Sequence, residues 1–112
     1  MRNVKIKMAN YKIYTTEEFD KDFEKLDNSL QEQIEREITQ LETNPYAGKP
    51  LGYKFFREKK VRNHRVYYLI YDEYVVVVVI ALSDKKDQQA VINKIKHLLP
   101  LYKEEIKRKF NL

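Results

Sequence analysis

Three runs rich in β-branched and aromatic residues lie almost end to end in the second half of the chain, and they constrain the fold more than any other feature. Lys54–Val61, His64–Tyr71 and Tyr74–Leu82 are separated only by Arg62-Asn63 and Asp72-Glu73. Gaps that short cannot hold the crossover that parallel strands need, so an antiparallel meander is expected. Val75–Ile80 is apolar at every position rather than at alternate ones, which marks an internal strand with a helix packed over one side.

The first half has a different period. Tyr11–Thr15 alternates as a strand does, and the alternation extends back through Val4, Ile6 and Met8 in the N-terminal extension 1–10. Thr15 and Glu18 have capping-box spacing ahead of Phe19, Phe23 and Leu26, and Ser29 and Glu32 repeat it ahead of Leu30, Ile34, Ile38 and Leu41. Two helices with a break at Asp27-Asn28 follow, ended by Asn44-Pro45, with irregular chain through about Gly52. Ser83-Asp84 precedes a third helix with the stripe Val91, Ile95, Leu98 and Leu99, which Pro100 kinks or interrupts before a helical extension over 100–112. The fold expected is α+β in the order β-α-α-β-β-β-α, a helical hairpin and a C-terminal helix on a mainly antiparallel sheet. A chain of 112 residues has room for a single domain, 1–112.

Composition excludes several classes of function. Without cysteine there is no disulfide framework, thiolate zinc site or cysteine nucleophile, and two histidines alone make no structural metal site. The longest apolar run, Val75–Leu82, is far short of the roughly 18 residues of a membrane span, and the N-terminus has no apolar signal core, so a cytoplasmic protein is expected. Charge is unevenly spread. Residues 15–43 carry ten acidic and three basic groups, whereas 44–71 carry seven basic and one acidic. A domain with such opposed faces points to a polyanion on the basic one.

The order of elements and three stretches resemble the RelE/ParE toxin superfamily of type II toxin-antitoxin systems. The stretches are Asn44-Pro45-Tyr46-Ala47-Gly48-Lys49-Pro50-Leu51, then Phe56-Arg57-Glu58-Lys59-Lys60-Val61, and His64-Arg65-Val66-Tyr67-Tyr68 running into Val75–Leu82. The resemblance spans about Tyr11 to Leu98 and implies a toxin whose partner is a cognate acidic antitoxin. In the RelE branch such toxins cleave mRNA on the ribosome with no metal or cofactor; in the ParE branch they inhibit DNA gyrase. Transferred position by position, the RNase-branch arginine falls on Arg65 and the basic pair in the stretch Arg57 to Lys60. The basic residue beyond the last strand falls on Lys85, with Lys86 beside it. The family's catalytic tyrosine falls on Val91, a departure from the pattern that leaves Tyr102 as the next aromatic to consider.

Metal-free RNA cleavage requires deprotonation of a ribose 2′-hydroxyl, stabilisation of the phosphorane and protonation of the departing 5′-oxygen. Crowded cations move a lysine towards general-base strength, while arginine stays charged and grips two phosphate oxygens. Strand register decides which lysine serves. A two-residue turn at Arg62-Asn63 sets Lys60 opposite Arg65, on one face with Glu58 and Tyr67; a three-residue turn pairs Lys59 with Tyr67 and brings Arg57 and Lys59 to the Arg65 face. Taken with the positions that the resemblance implies, the candidate catalytic residues are Arg65, Lys60, Lys59 and Lys85, and the candidate substrate-binding residues Arg57, Arg62, Tyr67 and Lys86. Arg65 is expected on an open, solvated sheet face. His64 and His97 read as structural or surface residues. The competing readings are an endoribonuclease, a gyrase-binding toxin without nuclease chemistry, and a plain nucleic-acid-binding domain.

Overall fold

A computed structural model of the chain describes residues 10–110. Strand β1 (Lys12–Thr15) leads into helices α1 (Glu17–Glu24) and α2 (Asn28–Gln40). Strands β2 (Lys49–Tyr53), β3 (Phe56–Val61), β4 (His64–Tyr71) and β5 (Val76–Asp84) follow, and helix α3 (Gln88–Phe110) ends the description. The sheet order is β1-β5-β4-β3-β2, antiparallel throughout except for the parallel β1–β5 pair. The N-terminal extension 1–10 lies outside the described residues apart from Asn10.

The α+β fold and the meander are as expected, with one added strand. β2 occupies part of the stretch read as irregular, pairing Lys49 with Glu58 and Pro50 with Arg57. It is an edge strand, where the missing proline N–H costs no ladder bond, and Gly52 takes the left-handed φ of 89° at the irregularity before Tyr53.

Helices cover both faces of the sheet, because strands apolar on both sides need two covers. α1 and α2 bury Phe19, Leu30 and Ile34 against Val66, Tyr68, Ile70, Val77 and Val79. On the opposite face α3 buries Ile92, Ile95 and Ile106 against Phe56, Tyr67, Leu69, Val76, Val78 and Ile80. Each fully buried large side chain contributes about 1.5–3 kcal/mol. A bulge in β5 opposite Tyr67 and Tyr68 leaves Ile80 unpaired in the ladder, and its carbonyl accepts a 2.6 Å hydrogen bond from Thr16 Oγ1.

The helix starts are displaced from the expected caps. Thr15 still pairs with Val79 in the sheet, so Thr16 caps α1, accepting from the Phe19 amide at 3.1 Å. Asp27, not Ser29, caps α2, accepting from the Leu30 amide at 2.8 Å. Pro100 does not interrupt α3, which is continuous to Phe110. It lies on the exposed side of the helix. Beyond it Ile106 is buried and Phe110 packs edge-on to Tyr14 and stacks with Tyr74, contacts that outweigh the lost backbone bond.

Candidate functional site

The β3–β4 turn holds two residues, Arg62 and Asn63, so Val61 pairs with His64 and Lys60 with Arg65. Arg62 turns the chain with a left-handed φ of 54°. This register places Glu58, Lys60, Arg65 and Tyr67 on the α3 face, and Arg57 and Lys59 on the α1–α2 face.

An open depression of about 430 Å³ lies beside this pair, lined by Ala47, Gly48, Lys49, Glu58, Lys59, Lys60, Arg65 and Gln88. Lys60 is exposed at its edge. Arg65 differs from the expectation of an open sheet face: it is only 8% exposed. One weak hydrogen bond, 3.4 Å from Nη1 to the His64 carbonyl, is its only side-chain hydrogen bond among the described residues. Next to it Glu58 is 6% exposed, and Gln88 Nε2 at the start of α3 donates to both of its carboxylate oxygens, at 3.0 and 2.9 Å. Neither Glu58 nor Gln88 was among the expected site residues. Glu58 was detectable as the one acid among the seven bases of 44–71, whereas nothing in the sequence marked Gln88.

The rim carries further cations. Lys85 and Lys86 are exposed in the β5–α3 turn, which Asp84 shapes by accepting from the Asp87 amide at 2.9 Å. Because Ser83 pairs with Arg65, that turn flanks the same end of the sheet. Arg62 lies at the hairpin tip, its Nη2 donating to Ser29 Oγ at 2.6 Å.

Three expected residues are not brought to this face as ligand groups. Lys59 borders the depression, but its ammonium pairs with Glu37 of α2 at 2.9 Å. Arg57 donates to the carbonyls of Lys54, Tyr46 and Gly48 at 2.9, 3.0 and 2.7 Å, and its guanidinium stacks on the Tyr46 ring. Tyr67 is fully buried, with its hydroxyl 2.7 Å from Ser83 Oγ, so it has no free ring for a base; burial raises its hydroxyl's pKa. Val91 and Tyr102 are half-buried and border another recess with Glu18 and Lys94, one that excludes Arg65.

The loop behind the depression is tightly held. Tyr68 donates from its hydroxyl to the Pro45 carbonyl at 2.7 Å and accepts from the Gly48 amide at 2.9 Å. A methyl group at Gly48 would meet Tyr68 Oη at 2.5 Å and the Glu58 carbonyl at 2.6 Å, which is why glycine stands there. Tyr46 and Tyr11 both donate to Asp72, holding its carboxyl below the usual range, and burial with that bond pushes Tyr46 up to about 12. A larger cavity of about 630 Å³ lies between Tyr53, Phe55, Tyr71 and Leu99–Pro100; it is mainly apolar and remote from Arg65 in its lining.

The family profile described as the ParE toxin of type II toxin-antitoxin systems, parDE, matches residues 13–97. The chain belongs to this family. As a RelE/ParE-type toxin it also shares its fold with solved RelE structures. One is E. coli RelE in the intact RelBE toxin-antitoxin complex, at 28% identity and TM-score 0.60, covering 66% of this chain and 95% of that one. Another is a mutant E. coli RelE in the free state, at 25% identity and TM-score 0.65, covering 78% and 93%. The Mycobacterium tuberculosis RelBE2 toxin-antitoxin complex matches at 25% identity and TM-score 0.60, covering 70% and 95%. No curated protein sequence matches the chain. Among the described residues no helix of this toxin is long and apolar enough to cross a membrane.

Proposed function

We propose that this toxin is a metal-free endoribonuclease that cleaves mRNA on the ribosome, in the cytoplasm, and is held in check by a cognate acidic antitoxin. The observation that carries the reading is the cross-strand pair Lys60–Arg65 beside an open depression, with Arg65 nearly free of internal hydrogen bonds. A largely buried arginine with a single weak internal bond keeps most of its donors available for an anion. In this reading Arg65 stabilises the charge that develops on the phosphorane, and Lys60 and Lys85 serve the phosphate and the departing oxygen. Arg62 and Lys86, on the rim, hold flanking phosphates. Several bonds already made inside the protein give Arg57, Lys59 and Tyr67 supporting roles instead. The antitoxin is supported by the RelE–RelB complexes among the similar structures.

One observation favours gyrase inhibition: Val91 packs against the α3-side core where the RNase branch carries a tyrosine, so no aromatic is offered to a base from that position. Mapping transcripts in a translating extract, beside a gyrase supercoiling assay, separates the two. Discrete new 5′ ends that disappear with Arg65→Ala are expected. Supercoiling inhibition with intact transcripts would replace the nuclease reading.

A further inference from the structure

We propose that Glu58 is the proton acceptor in cleavage, an inference that rests on the nuclease reading above. Glu58 stands diagonally across the β3–β4 ladder from Arg65, and both border the same depression. A buried carboxylate whose purpose was to neutralise a neighbouring cation would pair with it. Glu58 makes no ion pair within 4.0 Å among the described residues, although Lys60 and Arg65 flank it. It is fixed instead by the uncharged amide of Gln88. Such an amide orients the carboxylate without pairing a charge directly with it.

Chemistry favours a carboxylate in this place. Carboxylates are ordinarily ionised at neutral pH, whereas an ammonium group must lose its proton before it can act as a base. Glu58 therefore accepts the proton of the ribose 2′-hydroxyl. The 2′-oxygen forms a bond to phosphorus, with Arg65 on the non-bridging oxygens, and the bond from phosphorus to the 5′-oxygen breaks. The departing oxygen takes its electron pair and a proton from the Lys60 ammonium, which water restores as Glu58 releases its own. The products are a 2′,3′-cyclic phosphate and a 5′-hydroxyl, with no oxidant or metal consumed. Gln88, which touches Glu58 rather than the reacting atoms, is a positioning residue.

The test is Glu58→Gln in the full chain, assayed in single turnover on ribosomes that hold a defined mRNA. A second measurement is binding of an RNA oligonucleotide with 2′-deoxyribose at the cleavage position. Glu58→Gln keeps the side-chain shape and should slow cleavage about 100- to 10,000-fold. Binding should stay equal or tighten, since a negative charge has left a cationic site. A purely structural carboxylate would not divide rate from binding in this way. If wild type cleaves and Glu58→Gln cleaves within about threefold of it, the proposal is overturned and the nuclease reading stands; if wild type leaves every transcript intact, both fall. A product with a 5′-phosphate also overturns the proposal. Should Glu58→Gln fail to fold, Glu58→Asp, which keeps the charge but withdraws it by one methylene, decides: tenfold or more slowing is expected, and an undiminished rate overturns the assignment.

Discussion

Strand β3 sends its charged residues alternately to two different fates. Arg57 and Lys59, on the α1–α2 face, are consumed internally, the first by three backbone carbonyls and the Tyr46 ring, the second by Glu37. Glu58 and Lys60, on the α3 face, meet an arginine with one weak hydrogen bond and an open depression. Density of cations along a strand is thus a poor guide to a binding face. What separates the cations of the two faces is whether their donors are already used, and a one-residue change of register would exchange the two sets.

The contrast breaks most visibly at the two arginines. Arg65→Ala should slow cleavage roughly 100- to 1,000-fold, equivalent to about 2.7–4 kcal/mol of transition-state stabilisation, in single-turnover assays with the fold retained. Arg57→Ala should do the reverse, costing about 1.5–3 kcal/mol of stability in urea denaturation while folded molecules keep their rate. A slowed rate in Arg57→Ala at full stability would erase the distinction between the faces.

The lysines sharpen it with smaller effects. Lys59→Met is expected to change stability by about 1 kcal/mol or less, since its ion pair is partly solvated. Lys60→Met should leave stability alone and make the salt dependence of single-stranded RNA binding shallower by about 0.7 in log-log slope, the loss of one phosphate contact. Equal slopes for the two variants would remove Lys60 from the RNA.

The smallest effect concerns the scaffold behind Arg57. Asp72 has its carboxyl depressed by the Tyr46 and Tyr11 hydroxyls, so its stabilising contribution is present above the ordinary carboxylate range, near pH 4, and is lost as pH falls through the depressed value. Because Asp72 is exposed the effect is modest. In acid denaturation Asp72→Asn should flatten the stability profile below about pH 4; an unchanged profile would mean that the bonds to Tyr46 and Tyr11 do not tie the loop.

Much of this contrast was readable beforehand. The two-residue gap at Arg62-Asn63 favoured the register that pairs Lys60 with Arg65, and the double-sided apolarity of Val75–Ile80 foretold an internal strand. Strand β2 was hidden because Pro50 and Gly52 locally argue against strands, an argument that loses force at a sheet edge. The α1 cap was displaced because pairing of Thr15 with Val79, a contact between distant residues, delays the start of that helix. Depth was the chief gap in the site. Nothing local to Arg65 or Tyr67 says that α3 will cover their face, nor that Gln88 will arrive at Glu58 from thirty positions away.

The parallel pairing of β1 with β5 also sets an order of assembly. Strands β2 to β5 are sequential neighbours and need only short loops to close, whereas Lys12 must wait for Val76. Loop closure over so many residues is slow compared with hairpin formation. During synthesis β1 therefore emerges well before its partner β5, and the cationic hairpin of β3 and β4 can close before the sheet that steadies it is complete.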